Sequence, residues 1–455
     1  MDLMNLFIRY GVLPQDEVLE YLSDKPSVFA EEILKSTKVL FLTMDDIHRY
    51  EETRAMEASN VDWKSRIEVL KDISGNSTTK GEIDDFVKYF NSRFRLLKKL
   101  LKKRSELIGE SGIKGALSGN EREVKVIGIV KSLKDTSSGG RRIEIEDENA
   151  SMTVFCSDKK LASHVMLDSV IGVVAERPRK DFFYAKEILM PEVVIGRSVA
   201  RSSERAKIAI TSDVHIGSKT FMREKWDSFI EWLGTQDEIK YVLFCGDNVD
   251  GVGIYPGQEK DLEITNVYEQ YELFAKELDS IPADKNVIVL PGNHDAVRPA
   301  EPQPSLSGEV KKLFSNNVMC VGSPCFMKVC DVPILAYHGR SMDDFIYANS
   351  DFTHSRPIDM MMEMLKLRHL APIYGGKTPI APESTDALVI EEVPDIFITG
   401  HVHSFGVGRY RNVTMVNGST WQSQTAYQRM FGFQPNPGNV AIIELSTGGV
   451  ETKSF

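Results

Sequence analysis

Five of the nine histidines in this chain lie in short motifs, and each motif directly follows a hydrophobic, strand-like run. The motifs also contain aspartate and asparagine, and such a mixture of nitrogen and oxygen ligands suits manganese, iron or zinc better than calcium. In order they are Asp213-x-His215, Gly246-Asp247-x-x-Asp250, Gly292-Asn293-His294-Asp295, His338-Gly339 and Gly400-His401-x-His403. Open α/β sheets place their sites where the carboxyl ends of strands meet. The sequence therefore predicts a site for two divalent metal ions at that edge of a sheet.

Each residue type has a chemical reason to occupy its position in such a site. Asp213 and His215 alternate on an extended segment, so both side chains can face one metal. Gly246 allows a tight turn before Asp247, whose two carboxylate oxygens allow it to bridge two cations. A single histidine beside a strand is more often structural than a ligand, but five in this order favour metal binding.

The elements that must position these residues follow an α/β pattern from about residue 205 onward. Apolar runs predict strands at Lys207–Ile210, Tyr241–Phe244, Val287–Leu290, Ile334–Ala336, Ile396–Ile398, Val413–Val416 and Val440–Leu445, with helices between them. A long insert, Arg340–Pro394, separates the fourth motif from the fifth. Its methionine-rich helix is more typical of core packing or a docking surface than of a cofactor site.

Three further segments precede this region. Residues 1–55 read as a small helical N-terminal domain, and residues 56–120 as a linker with a basic amphipathic helix. The apolar face of that helix contains Phe86, Phe90 and Phe94. Its other face, from Arg93 to Arg104, is either solvated or in contact with DNA or a partner.

Residues 121–200 change to the alternating period of short strands, which predicts a barrel of the OB type. Such barrels bind single strands of nucleic acid, often through aromatic side chains. The candidates here are Phe155, Phe182, Phe183 and Tyr184. A purely structural or docking role for the barrel remains an alternative.

Composition and charge limit the classes of function. The net charge is −11, and residues 201–455 carry 23 Lys and Arg against 33 Asp and Glu, whereas residues 121–200 carry 13 of each. This argues against tight DNA binding by the metal-bearing domain alone, because such binding rests on neutralising phosphates. The chain has no membrane-length apolar run and no signal-peptide layout, and its five cysteines are not clustered as in a disulfide scaffold. We therefore expect a cytoplasmic protein with no membrane association.

The motif set resembles the calcineurin-like metallophosphoesterase superfamily over residues 205–445. The resemblance implies a β-sandwich flanked by helices, with the phosphoesterase domain spanning 205–455. One metal would take Asp213, His215, Asp247 and His403, and the other Asp247, Asn293, His338 and His401. His294 would be the acid or transition-state donor, while Asp250 and Asp295 would orient their neighbours. Two such metals can clamp a phosphodiester and lower the pKa of a shared water from ~15.7 toward ~7.

A narrower resemblance rests on further segments. Asp250-Gly251-Val252 departs from the Asp-Arg-Gly of the Ser/Thr phosphatases and favours the nuclease branch of the superfamily. The helix before the barrel, the barrel itself and the segments His338-Gly-Arg-Ser-Met-Asp-Asp344 and Gly418-Ser-Thr-Trp-Gln resemble the small subunits of archaeal family D DNA polymerases. Arg340 is a candidate phosphate contact, with an ion pair to Asp343 or Asp344 as the alternative. Trp421, Tyr427, Phe431 and Phe433 are candidates for an aromatic docking surface, with ordinary packing as the alternative.

This resemblance implies a metal-dependent 3′–5′ exonuclease that proofreads for a large catalytic polymerase subunit in a heterodimer. Its substrates would be DNA 3′ ends, single-stranded or mismatched, and a sliding clamp is a further candidate partner. The metals would be manganese first, with magnesium, iron or zinc as alternatives. Two other functions stay open: a non-catalytic scaffold like the eukaryotic B-subunits, and a stand-alone phosphodiesterase.

Overall fold

The N-terminal part of the chain is a small helical unit. The structure is a computed structural model that describes residues 3–23, 25, 27–37, 39–59, 62–137, 139–430 and 432–455. It divides into two compact units, Met1–Trp63 and Lys64–Phe455. The first contains α1 (Leu3–Tyr10), β1 (Leu13–Pro14), α2 (Asp16–Ser23), α3 (Ser27–Ser36), β2 (Phe41–Leu42) and α4 (Met44–Ser59). Apolar residues at helical spacing, such as Leu6, Val18 and Ile33, form its buried core.

The second unit begins with strand β3 (Ile67–Asp72), which the sequence did not predict, and the long helix α5 (Ile83–Leu101). Acidic residues in the first turn of α5 and lysines in its last turn suit the helix dipole. The buried stripe of α5 contains Tyr89, Arg93, Leu97 and Leu101 at four-residue spacing. The prediction that Arg93 lies on a basic outer face was therefore wrong for this residue.

Arg93 is buried because the fold surrounds it with acceptors. Its Nε lies 2.7 Å from Asp386, and its other nitrogens donate to the carbonyl oxygens of Asp168 and Pro372 and to the hydroxyl of Tyr89. His369 bonds to the same Asp386 carboxylate at 2.8 Å. A buried charge is tolerated only when it is paired and hydrogen-bonded in this way. The cluster fastens α5 to a barrel turn and to the 340–394 insert.

A closed barrel follows the short helix α6 (Gly112–Ser118). Its members are β4 (Glu123–Asp135), β5 (Arg141–Glu146), β6 (Ser151–Cys156), α7 (Lys159–Ala162), β7 (Val170–Arg179) and β8 (Phe182–Leu189). The strand order around the barrel is β4-β5-β6-β8-β7, and β6 pairs with β8 in parallel. Alternate residues such as Ile143, Ile145 and Val154 fill the interior, as the period-two pattern predicts.

The remaining chain, together with β3, forms two six-stranded sheets with helices between the strands. Its elements are β9 (Lys207–Thr211), α8 (Arg223–Gly234), β10 (Ile239–Cys245), α9 (Val267–Asp279), β11 (Asn286–Leu290), α10 (Gly308–Lys311), β12 (Val318–Cys320), β13 (Cys325–Val329), β14 (Val332–Ala336), α11 (Met342–Ala348), α12 (Pro357–Leu367), β15 (Ile396–Thr399), β16 (Gly406–Tyr410), β17 (Val413–Asn417), α13 (Ala426–Met430), β18 (Asn439–Glu444) and β19 (Val450–Ser454). The expected mixed α/β fold is confirmed.

The first sheet has the order β12-β11-β10-β9-β18-β19, in which β9 to β12 are parallel. Trp421 packs against Trp226 in its core, with ring centroids 5.3 Å apart, and is fully buried. Trp421 is therefore part of the core rather than of an aromatic docking surface. Of the other candidates for that surface, Phe433 is partly exposed, whereas Phe431 and the Tyr427 side chain lie outside the described residues.

The second sheet has the order β16-β17-β15-β14-β13-β3, in which β14, β15 and β17 are parallel. Strand β3 forms its edge by pairing antiparallel with β13, far along the chain. Met360, Met361 and Met364 of α12 are buried against this sheet, so the methionine-rich helix is core packing. Across the described part of the chain, no helix is both long enough and apolar enough to cross a membrane.

Candidate metal centre

The five motifs lie close together because each follows one of five strands, three in the first sheet and two in the second. Asp213 follows β9, Asp247 follows β10 and Asn293 follows β11 of the first sheet. His338 follows β14 and His401 follows β15 of the second sheet. Within each sheet these strands are parallel neighbours, so their carboxyl ends lie side by side. Side-chain contacts then join the residues of one sheet to those of the other.

One group of ligand-type side chains comprises Asp213, His215 and His403. The His403 Nε2 lies 3.3 Å from the Asp213 Oδ1 and 3.1 Å from the His215 Nε2. The other carboxylate oxygen of Asp213 accepts from the backbone amide of His401 at 2.9 Å. The Oδ1 is buried and has no hydrogen-bond donor among the described residues. A buried carboxylate oxygen without a donor, facing two imidazole nitrogens, fits a cation.

A second group comprises Asp247, His338 and His401, with Asn293 beside them. The His338 Nε2 lies 3.3 Å from the Asp247 Oδ2 and 3.2 Å from the Asn293 Oδ1. The His401 Nδ1 is buried and lacks a hydrogen-bond partner within the described ranges. Asp247 also lies 3.9 Å from the His215 Nε2, so its carboxylate stands between the two groups. The arrangement is compatible with two cations that share Asp247.

The backbone is strained at these positions. Residues with a side chain rarely adopt positive φ, which costs on the order of 1–3 kcal/mol and persists only where the surroundings enforce it. Positive φ occurs at Asp213 (53°), His215 (54°), Asp247 (50°), His401 (70°) and His403 (53°). The fold therefore holds these five side chains in orientations that an unconstrained chain would avoid.

Two glycines allow the motifs to approach each other closely. A Cβ atom on Gly292 would lie 2.2 Å from the Asp247 Oδ1, and one on Gly400 would lie 2.6 Å from the Asp213 Oδ2. Neither neighbour can move away without disturbing a candidate ligand. Glycine is therefore needed at both positions because a side chain would not fit, and not only because the backbone turns there.

Two further aspartates orient the candidate ligands. The Asp250 Oδ1 lies 2.8 Å from the His215 Nδ1, which leaves the Nε2 of that ring free to face the centre. The His294 Nδ1 lies 2.7 Å from the carbonyl oxygen of Asp250. Asp295 accepts from the backbone amide of Gly292 at 2.8 Å and from the hydroxyl of Tyr271 at 2.9 Å. These contacts fix the loops that carry Asn293 and His294.

The electrostatics of the metal-free site favour positive charge. Burial lowers the pKa of the histidines at the site. The neighbouring carboxylates outweigh this effect at His215 and His338, whereas burial prevails at His403. The pKa of His215 rises to about 9, chiefly through Asp250, and that of His338 rises to about 10, chiefly through Asp247. Burial and the Asp247 charge both favour the neutral form of Asp295 and raise its pKa to about 6. A divalent cation would supply the positive charge that these protons provide.

Asp343 of α11 lies at the site, although the sequence did not predict it there. Its Oδ2 lies 3.5 Å from the His401 Nε2 and its Oδ1 lies 3.5 Å from the His354 Nε2. The sequence offered Asp343 only as an ion-pair partner for Arg340. Arg340 instead donates to the carbonyl oxygen of Pro299 at 2.9 Å, so the alternative ion pair with Asp343 or Asp344 is not formed, and the phosphate contact stays a prediction.

His403 has a similar outer partner, because its Nδ1 lies 2.9 Å from the Gln428 Nε2 of α13. Gln422 likewise reaches the Asp250 Oδ1 at 3.3 Å. Both glutamines come from the distinctive segment that follows Gly418, which was the available signal in the sequence. Together, the fold and the site define an α/β protein with a candidate divalent-metal centre and a closed five-stranded barrel.

Comparison with solved structures finds low overall likeness. A structure titled as a novel archaeal phosphodiesterase matches 55% of this chain and 99% of its own, with 14% identity and a TM-score of 0.29. The zinc-complexed Vps29 of Entamoeba histolytica matches 55% and 98%, with 16% identity and a TM-score of 0.26. TM-scores this low carry no conclusion about function.

Comparison with sequences is decisive about the family. The sequence model of the family of B-subunits of DNA polymerases alpha and epsilon matches residues 208–407. The DNA polymerase II small subunit of Archaeoglobus fulgidus is 42% identical over 388 residues, covering 83% of this chain and 78% of the relative. That of Methanothermobacter thermautotrophicus is 36% identical over 477 residues, covering 97% of each. The chain belongs to the family of archaeal DNA polymerase II small subunits.

Proposed function

We propose that this chain is the exonuclease subunit of a two-subunit DNA polymerase. It removes nucleotides from DNA 3′ ends, single-stranded or mismatched, by metal-dependent hydrolysis of phosphodiester bonds. A large polymerase subunit is its partner, as the name of its relatives implies. The subdivision into N-terminal helical domain, OB barrel and calcineurin-like phosphoesterase domain belongs to the same proposal.

One observation carries the proposal: the side chains of two ligand groups converge from five strand ends, and Asp247 stands between the groups. The residues fit divalent cations because the Asp213 Oδ1 is buried without a donor and the donors mix oxygen and nitrogen. The residues proposed to hold the cations are Asp213, His215, Asp247, Asn293, His338, His401 and His403. Manganese is the proposed metal. Bound divalent cations activate water and neutralise charge on phosphoryl oxygens.

The side chains of the centre then have distinct tasks. Asp247 and its neighbouring imidazoles would hold the divalent cations in fixed positions. The scissile phosphate would be oriented by those cations. His294 lies beside them, and its Nδ1 is engaged with the Asp250 carbonyl, which leaves the Nε2 for the substrate. Burial lowers the pKa of His294, although the Asp247 charge opposes this effect. In its protonated form the ring would stabilise the charge on the phosphoryl oxygens or donate its proton to the departing oxygen.

The test is a time course with a 5′-labelled single-stranded oligonucleotide and the purified chain, with manganese, magnesium or chelator. We expect a manganese-dependent ladder that shortens from the 3′ end and disappears in His294→Ala. The matched control is His48→Ala, because His48 is an exposed histidine in the N-terminal unit. If neither the chain alone nor its complex with the large subunit shortens the oligonucleotide, the exonuclease proposal fails and a scaffold role replaces it.

A further inference from the structure

The outer face of the barrel carries three neighbouring aromatic side chains. Phe155 of β6 points outward between two buried neighbours on the same strand. Phe182 and Tyr184 of β8 point outward on either side of the buried Phe183. The parallel ladder places Phe155 opposite Tyr184. Alternation along the strands, which puts Phe183 in the core, therefore gathers the other three rings on one surface.

Two of the three rings stack on each other, and Tyr184 lies beside them in the strand ladder. The Phe155 and Phe182 centroids are 4.8 Å apart with planes tilted by 16°, and Tyr184 is 36% exposed. The Tyr184 hydroxyl donates to the Ser157 hydroxyl, which holds its ring beside the strand end. Flat aromatic surfaces of this kind accept nucleic-acid bases because every base has a π face.

Two guanidinium groups border the aromatic rings. Arg179 is exposed and lies over the Phe182 ring at 5.0 Å, and Arg142 is exposed and stands directly opposite Phe155 in the β5–β6 ladder. The Arg142 Nη2 has only a long contact of 3.4 Å to Thr153. Over the described ranges, neither guanidinium has an ion-pair partner. We call Phe155, Phe182, Tyr184, Arg142 and Arg179 the barrel platform.

The charge near the barrel platform contrasts with the rest of the unit. Lys159, Lys160 and Lys180 are exposed on the segments that adjoin it, beside the exposed Asp158 and Asp181, so these segments carry one more basic than acidic residue. The metal-bearing region beyond residue 200 has ten more acidic than basic residues, from 33 against 23. Aromatic faces together with unpaired cations suit a ligand with flat bases and a phosphate backbone.

Helix α11 connects this end of the barrel to the candidate metal centre. Its Asp343 contacts His401, and just beyond its last residue the Asn349 Nδ2 donates to the carbonyl oxygen of Ser163, immediately after α7. A helix of seven residues is about 10 Å long. Tyr347, one turn after Asp343, is 84% exposed and offers a further aromatic surface on this helix. Helix α11 thus joins the α7 segment of the barrel to the candidate metal centre.

We propose that the barrel platform binds single-stranded DNA, with bases stacked on its aromatic rings and phosphates held by Arg142 and Arg179. The proposal rests on the proposed function in taking DNA as the substrate, but it does not require hydrolysis. A base takes the place of the Arg179 guanidinium over Phe182, and that guanidinium turns to the adjoining phosphate. The strand delivers its 3′ end toward the metal centre.

The experiment measures fluorescence anisotropy of a labelled oligothymidylate of about 15 nucleotides with the full chain, in chelator to prevent cleavage. We expect Tyr184→Ala and Phe182→Ala to weaken binding about 5- to 150-fold each, as the loss of a stacking residue does. Phe182→Trp keeps a stacking surface and is expected to bind like the unaltered chain. The matched control is Tyr268→Ala, because Tyr268 is 58% exposed on α9, away from the platform.

A second readout separates phosphate contact from folding. We expect Arg142→Ala and Arg179→Ala each to reduce the slope of log affinity against log salt by about 0.7, whereas Arg409→Ala, which removes an exposed arginine of β16, leaves it unchanged. The proposal is overturned if the full chain does not bind the oligonucleotide, or if platform variants bind it normally. Loss of large-subunit binding with normal DNA binding also overturns it, in favour of a protein interface. A chain that binds through the platform but shortens no 3′ end, even in complex with the large subunit, retains this proposal and refutes the exonuclease.

Discussion

Asp343 offers the sharpest test of how the metal centre is built. Its carboxylate lies 3.5 Å from the His401 Nε2, and the Nδ1 of the same ring is buried without a partner among the residues that the structure describes. If His401 binds a cation through the Nδ1, Asp343 holds the ring in place and increases its basicity. Asp343 is then a positioning residue for one metal and has no contact with the group formed by Asp213, His215 and His403.

The size of the effect follows from this geometry. Loss of the outer partner of a metal-bound histidine typically lowers metal affinity 10–100-fold. Asp343→Asn keeps an acceptor oxygen but loses the charge, so we expect a loss of about 10-fold, or about 1.4 kcal/mol. Asp343→Ala removes the acceptor, and we expect a loss of up to about 100-fold. The affinity of the second cation site should not change, because its ligands make no contact with Asp343.

The assay is a manganese titration of the purified, metal-free chain, followed by calorimetry or electron paramagnetic resonance. Two sites are resolved by their affinities, and only one is expected to weaken. The matched control is Asp351→Asn, because Asp351 is an exposed carboxylate shortly after the same helix. Circular dichroism verifies that each variant is folded.

Two results would refute this reasoning. One is a folded Asp343→Ala chain that binds two manganese ions as tightly as the unaltered chain. The other is an equal loss at both sites, which would mean that Asp343 acts on the fold of the whole edge and not on one ligand.

Three further predictions concern the fold and the same centre. Arg93→Leu leaves a carboxylate buried without its cation and should lower the free energy of unfolding by about 3–5 kcal/mol, measured by denaturant titration; an unchanged midpoint would contradict the buried pair. Gly292→Ala places a Cβ 2.2 Å from an Asp247 oxygen, so manganese binding should fall steeply while circular dichroism stays normal. In the metal-free chain the pKa values of His215 and His338 are raised to about 9 and about 10, so both rings are protonated at pH 7. Manganese must displace those protons, so affinity should rise with pH toward that range, and calorimetry in buffers of different ionisation enthalpy should detect proton release.

The candidate metal centre was predictable in composition because its information is local. Each ligand candidate, such as Asp213 or His338, comes directly after a buried strand, and parallel strands bring such positions to one edge. The barrel was predictable for a similar reason, since alternation with a period of two reports which side of a strand is buried. Local periodicity and turn chemistry therefore determined these parts.

Other parts depend on contacts between segments that are far apart in the sequence. The periodicity of the sequence does not predict such contacts. Strand β3 lies in a polar stretch, and only its pairing with β13 makes it part of a sheet. Asp343 lies at the start of the long insert and His401 lies beyond its end, so only the folded chain brings the two side chains together.

Arg93 is the clearest example of a feature that could not be predicted from the sequence alone. Its place in the helix follows the apolar stripe, but its charge argued for an exposed face. The acceptor that permits burial, Asp386, lies 293 residues away. The sequence determined which residue types occur at strand ends and helix faces. Only the tertiary structure decided which polar groups meet, because a buried charge is stable only where the folded chain supplies its partner.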